Sequence, residues 1–205
     1  MRTSKIAVII YTSYHHVSTL AESIKQGLES AGTSSVTIFQ VPETLSDEVL
    51  KKIHVPPKPA YPIATPETIK DHDGIMFGFP TRFGVMPAQI KAFFDSTGCE
   101  WMEEAYAGKP VGCFTSTNLQ HGGQESTIMS ILPVLAHHGM IFVPLGRGSA
   151  HLTKSDEIVG GSAWGAGAIA SNSGTRRVSE VEKEIAFTQG KNFAAFVAKL
   201  VNSPC

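Results

Sequence analysis

KIAVIIYTSYHHV, residues 5–17, joins a continuous apolar run to a polar turn that contains no glycine. The run is β-branched and does not alternate, so it reads as a strand buried on both faces, the kind found in parallel sheets. After the turn, Val17, Leu20, Ala21, Ile24 and Leu28 recur at helical spacing until Ala31-Gly32 stops them. Strand, turn and amphipathic helix make the first half of a βαβ unit. The turn then sits at the carboxyl end of its strand, where open parallel sheets bind ligands.

The same alternation continues along the chain. Strands are expected at 35–41, 73–79 (DGIMFGF), 110–116 (PVGCFTS) and 140–144. Between them lie a short helix at 46–53, a proline-rich loop at 54–66, and a helix start at Thr65-Pro66-Glu67 with proline in the first turn. Met86, Ile90, Phe93 and Phe94 mark a further helix. The helix expected over 124–138 buries Ile128, Ile131, Leu132 and Leu135, but Pro133 inside it should kink or restart it, since an interior proline costs ~3 kcal/mol. Residues 146–177 read as one long glycine-rich loop, and Phe193, Phe196, Val197 and Leu200 mark the last helix. The expectation is an α/β fold: a five-stranded parallel sheet with helices on both faces, forming a single domain over residues 1–205.

Composition narrows the function. A 205-residue chain with 42% apolar residues can build a core, and a formal net charge of −1 argues against a nucleic-acid partner. The amino-terminal apolar run is too short for a signal peptide or a membrane span. Cys99, Cys113 and Cys205 form neither a CxxC pair nor a disulfide framework, which points to a reducing, cytoplasmic setting. Cys99 reads as a packed small apolar residue.

Three segments end strands on the expected binding rim. In the first, Thr12 and Ser13 either help the next helix start hold an anion or simply cap it. In the second, Pro80 and Gly84 bracket Thr81, Arg82 and Phe83, offering fixed donors and an aromatic wall, or an ordinary turn. The third, residues 115–126, carries hydroxyls, paired glycines and His121. It suits a flat ring, a phosphate, or a flexible connection. The GxGxxA spacing of Gly165–Ala170 follows no expected strand, so it is not read as a dinucleotide fingerprint. No metal site is expected: His137 and His138 are neighbours on a helix and point to different faces.

The segments IIYTSYHHVSTLAESIKQG, FGFPTRFGVMPAQIKAFFDSTG, GGQESTI, LAHHGMIFVPLG and GGSAWGAGAIA resemble, in this order, the WrbA-type NAD(P)H:quinone oxidoreductases. The resemblance implies a flavodoxin-like sheet of order 2-1-3-4-5, with FMN at the switch between strands 1 and 3. It also implies two-electron, ping-pong reduction of a quinone by NADH or NADPH, in a homodimer or homotetramer. By match, Thr12, Ser13, Tyr14, His15, His16 and Val17 would surround the FMN phosphate. Pro80, Thr81, Arg82, Phe83 and Gly84 would hold the isoalloxazine edge. Ser116, Thr117, Asn118, Leu119, Gln120, His121, Gly122 and Gly123 would follow the ring and ribityl chain. His137 would lie at the flavin. Tyr14 and Trp101 would form aromatic walls, with Trp101 coming from a neighbouring subunit. His137, Arg82, Tyr14 and Trp101 are the residues implied in catalysis.

The chain departs from the family pattern in places. His15 stands where the family has glycine, the 116–123 segment is poorer in glycine, and Gly98-Cys99-Glu100-Trp101 differs from the usual Gly-Gly-Leu-Trp. A second reading is therefore an FMN-binding or scaffold member of the family with little or no quinone turnover.

Overall fold

The computed structural model describes residues 2–32, 34–154 and 156–203. Cys205 lies outside the described residues. β1 (Ser4–Ile10) is flanked by β2 (Ser34–Gln40) and β3 (Gly74–Pro80), both parallel to it, and β4 (Pro110–Thr117) lies beyond β3. The first four positions thus follow the expected order 2-1-3-4.

The fifth position differs from expectation because two strands share it. β5 is only Ile141–Phe142 and pairs with Pro110 and Val111 at the amino end of β4. β7 (Gly165–Ile169) pairs with Thr115, Ser116 and Thr117 at the carboxyl end. β6 (Gly161–Ser162) closes the edge antiparallel to β7. The expected strand at 140–144 therefore shrinks, and the expected loop at 146–177 contains two strands and a helical turn at Ala150–Thr153. β7 is fully buried yet built of Gly, Ala and Ile, because its neighbours leave no room. A Cβ on Gly165 would lie 2.0 Å from the Cys113 carbonyl oxygen, and one on Gly167 would lie 2.3 Å from Gln124 Oε1.

Helices cover both faces. On one face, Ile6, Val8 and Ile10 pack with Leu20, Ile24 and Leu28 of α1 (His16–Ser30) and with Ile185, Phe193 and Val197 of α8 (Glu180–Asn202). α1 and α8 cross at glycine: a Cβ on Gly27 would meet the Phe187 carbonyl oxygen at 2.0 Å, and one on Gly190 the Ile24 carbonyl oxygen at 2.2 Å. Phe196 and Leu200 fall outside the buried stripe and are partly exposed. On the other face, Ala7, Ile9, Phe77 and Phe79 pack with Ile90, Phe93 and Phe94 of α4 (Ala88–Asp95). Ile128 of α6 (Gln124–Met129) and Leu135 of α7 (Leu132–His137) join the same layer.

Pro133 restarts the helix, as its chemistry requires. It occupies the first turn of α7, where no N–H is needed. α2 (Asp47–Lys52) is capped by Ser46, which accepts from Val49 N, and α3 (Pro66–Lys70) begins at a Thr65 capping box. α5 (Gly98–Met102) buries none of its residues, so Cys99 is exposed rather than packed. Among the described residues no helix is long and apolar enough to cross a membrane.

Candidate active site

The register of β1, β3 and β4 (Ile10 beside Gly78, Pro80 beside Ser116) ends the three strands on one rim. The loops beyond them enclose a cleft of about 680 Å³. Of the expected residues it is lined by Thr12, Ser13, Tyr14, His16 and Val17, by Pro80, Thr81, Arg82 and Phe83, and by Ser116, Thr117, Asn118, Leu119 and Gly122. Ile53, Ala170, Asn172, Ser173 and Gly174 also line it and were not legible in advance. Their signal was the polar cluster Ser171-Asn172-Ser173 inside the apparent loop, but without β7 nothing placed that cluster on the rim.

The first loop is an N–H cradle. His15 precedes α1 with φ 67°, in the left-handed region that glycine favours. Its carbonyl accepts from Thr19 N, Thr19 Oγ1 and Ser18 Oγ, each at 2.9 Å. Its ring turns back toward Ser18, with Nδ1 3.5 Å from Ser18 Oγ, and does not line the cleft. The backbone N–H groups of residues 13–18 have no acceptor among the described residues. Free N–H groups at the positive end of a fifteen-residue helix, beside the Thr12 and Ser13 hydroxyls, fit a phosphate monoester such as that of FMN. Arg82 reinforces the cradle by reaching across from the second loop, Nη2 donating to Ser13 Oγ at 3.1 Å.

A polar network stiffens the cradle from below. Lys58 Nζ donates to the Thr12 carbonyl at 2.8 Å, pairs with Glu43 Oε2 at 2.8 Å, and lies 4.3 Å over the Tyr11 ring. Tyr11 OH and Gln89 Nε2 also donate to Glu43. Burial works to raise the Glu43 pKa. The Lys58 hydrogen bond, the Leu45 and Thr44 N–H groups and the Lys58 charge outweigh it and hold the carboxyl below its ordinary value. Tyr11 moves up, chiefly through burial, with the Glu43 charge adding to it.

The second loop turns on two residues. Arg82 N donates to Val85 O at 2.9 Å and Val85 N to Arg82 O at 3.1 Å, with φ 54° at Phe83 and 83° at Gly84. Two positive φ values mark a type I′ hairpin turn, which asparagine and glycine normally fill. Phe83 is held there with its ring fully exposed over the cleft mouth. Gly84 serves the turn and donates to Thr81 Oγ1 at 3.1 Å. In the third loop, Gln124 Nε2 holds Thr117 Oγ1 at 3.1 Å, and Gly123 (φ 80°) starts α6. Gln120, His121 and Gly123 do not line the cleft.

Tyr14 stands at the mouth, its OH donating to the Ile53 carbonyl at 2.6 Å. Trp101 and His137 lie together but elsewhere: Trp101 Nε1 donates to the His137 carbonyl at 2.8 Å. His137 lines a separate shallow depression with Lys91, Phe94, Asp95, Pro133, Val134 and His138. One chain therefore does not bring these two residues to the cleft. The neighbouring His138 is held below its ordinary pKa by burial, against the opposing charge of Glu100.

The family described as NADPH-dependent FMN reductase matches residues 5–152. The chain belongs to this family. Within it, the chain is 54% identical over 197 residues to the NAD(P)H quinone oxidoreductase PST3 of Candida albicans, covering 95% of this chain and 98% of the relative. It is 49% identical over 198 residues to the quinone-oxidoreductase QR2 of Triphysaria versicolor, covering 96% and 97%. It is 53% identical over 197 residues to protoplast secreted protein 2 of Saccharomyces cerevisiae, covering 95% and 98%. Among solved structures, a WrbA-like flavodoxin protein from Agrobacterium tumefaciens superposes with a TM-score of 0.66 at 20% identity, covering 96% and 98%. The fold is flavodoxin-like, and the cleft of this FMN reductase family member opens at the β1–β3 switch point where that fold takes its flavin.

Proposed function

We propose that the protein is an FMN-dependent NAD(P)H:quinone oxidoreductase, a single flavodoxin-like domain that reduces quinones by two electrons in a ping-pong cycle. The observation that carries the reading is the set of unpaired N–H groups at residues 13–18, placed opposite Arg82 in a cleft whose mouth is aromatic and apolar. The relatives named as quinone oxidoreductases supply the substrate class.

Residues 12–17 would hold the cofactor's phosphate, and Thr81, Arg82, Ser116 and Asn118 would run beside its ring and ribityl chain. FMN, when bound, supplies the redox chemistry; the protein supplies orientation and electrostatics. Arg82, the cation lining the cleft, would stabilise negative charge developing there, an effect that is often the largest catalytic contribution. Tyr14, Ile53, Phe83 and Leu119 leave an apolar opening with room for a flat ring. Nicotinamide and quinone would use this one opening in turn, which gives the ping-pong order.

Trp101 and His137 would complete the site of another copy, so the working unit is a homodimer or homotetramer. Trp101 and Met102 are exposed on α5, as that role requires. His137 would then donate to the quinone oxygen. The setting proposed is cytoplasmic. The test is anaerobic mixing of FMN-loaded protein with NADPH, followed by a benzoquinone. The flavin absorbance should bleach and then return; a flavin that never bleaches ends the enzyme reading. Native mass spectrometry checks the assembly, and a monomer would remove Trp101 and His137 from the site.

A further inference from the structure

We infer that residues 170–176 form a fourth cofactor-binding loop, latched to the phosphate cradle by His16. The inference rests on the FMN reading above and names a part of the site that the sequence did not mark. β7 runs parallel to the carboxyl half of β4, so the chain leaving Ile169 emerges on the same rim as the other three loops. Ala170 N donates to the Thr117 carbonyl at 2.8 Å, which ties the fourth loop to the third at its root.

The loop closes on itself. Arg176 N donates to the Ala170 carbonyl at 3.1 Å and Gly174 N to the Ser171 carbonyl at 3.0 Å, while Ser171, Ser173 and Thr175 link hydroxyl to hydroxyl. Both ends are pinned from beneath. Glu182, wholly buried, accepts from Arg176 Nη1, Ile169 N, Gly160 N and Ser179 N, and Arg176 also donates to the Ile169 and Ile158 carbonyls. A loop held this firmly presents a fixed surface, and the cleft is what it faces.

The latch joins that surface to the anion cradle. His16 is the first residue of α1, and its Nε2 lies 2.7 Å from the Arg176 carbonyl, so Nε2–H donates. His16 and Gly174 line the same cleft, which puts the fourth loop beside the phosphate end. The Asn172 carboxamide has no partner among the described residues. Together with the Ser173 hydroxyl it offers donors and acceptors suited to a phosphate ester and the adjoining ribityl hydroxyls. The cradle and the fixed fourth loop are thus joined by one hydrogen bond and present a continuous polar wall to one ligand.

The test is FMN affinity, read by quenching of flavin fluorescence on titration with protein freed of FMN. Asn172→Ala/Ser173→Ala, at two exposed positions, should lower the thermal midpoint of the FMN-free protein only slightly, through the exposed hydroxyl links lost at Ser173, and raise the FMN Kd about tenfold, the loss of two ordinary hydrogen bonds to the cofactor. His16→Ala should raise it several-fold. Hydrogen exchange of residues 170–176 in the wild-type protein should slow when FMN is added. A Kd within twofold of wild type in the double variant overturns the inference, as does exchange in 170–176 that FMN does not alter. Wild-type protein that binds no FMN would instead overturn the functional reading itself.

Discussion

Gly190→Ala places one methyl group where α8 crosses α1, and the structure sets its effect. The added Cβ would lie 2.2 Å from the Ile24 carbonyl oxygen, 3.0 Å from Leu28 N and 3.1 Å from the Ile24 carbonyl carbon. All three are backbone atoms, so no rotamer change relieves the contact, and the helices must part by on the order of 1 Å. A gap of that size forfeits roughly a quarter to a half of the dispersion energy across it. Overpacking costs about 1–3 kcal/mol, and the upper end applies because the whole crossing opens, with Leu28, Ala186 and Phe193 buried along it. Alanine's helix propensity returns about 1 kcal/mol. The net loss is about 2 kcal/mol, which for a chain of this size lowers the thermal midpoint by about 4–8 °C. Circular dichroism melts of the FMN-free protein measure it. Gly98→Ala is the control: a Cβ there meets nothing within 4 Å, so its midpoint should hold or rise. A Gly190→Ala protein as stable as wild type would refute the close crossing.

Other outcomes follow from single contacts. His15→Gly removes left-handed strain of about 1–2 kcal/mol and adds chain entropy of about 0.5–1 kcal/mol, so urea unfolding should change by no more than about 1.5 kcal/mol. FMN affinity should be kept or tightened, because the His15 ring faces Ser18; a tenfold loss would show that the ring meets the cofactor. Glu182→Ala strands three backbone N–H donors and one arginine and should cost roughly 3–5 kcal/mol, seen as a lower urea midpoint at an unchanged m-value; an unchanged midpoint would refute the anchor. Glu43 has a folded pKa below its unfolded value. Its stabilisation is therefore complete above the unfolded carboxylate pKa of about 4.3 and fades as pH falls through the folded value. The stability gap between wild type and Glu43→Gln should narrow as pH falls below about 4.3; a gap independent of pH would contradict the pairing.

What the sequence made legible was whatever repeats or alternates locally. Ile6–Ile10, Gly74–Phe79 and Val111–Phe114 declare themselves by unbroken apolar character, and α1 by its 3.6-residue stripe. Their ends fixed three of the four walls of the cleft. β7 was hidden because its identity comes from what it touches: Cys113 and Gln124 crowd Gly165 and Gly167 from distant parts of the chain, and no local pattern records that. Losing β7 also lost the fourth wall. Phe83 was expected on the rim, but its backbone conformation was not, since a bulky residue at positive φ contradicts its own propensity and only the turn's hydrogen bonds hold it there. Arg82 was expected at the ring edge, yet its reach to Ser13 depends on a side-chain conformation that spacing cannot encode. The roles of His137 and Trp101 came from resemblance alone, and a single chain leaves both outside the cleft.

The divided fifth strand makes the chain a natural host for cargo. Where it leaves the sheet, Val143 N is fastened to the Val111 carbonyl; where it returns, β7 is zipped to Thr115–Thr117. Both fastenings lie on β4, so what is carried between them hangs from one rigid post and exerts no leverage on the rim. Lengthening an excursion whose ends are already fixed adds only about 0.6 kcal/mol of closure entropy per doubling. Residues 156 and 157, exposed and outside every strand and helix, are the position at which a tag, a reporter or a second domain can be spliced in while the Ile158 carbonyl keeps its bond to Arg176 and the cleft its shape.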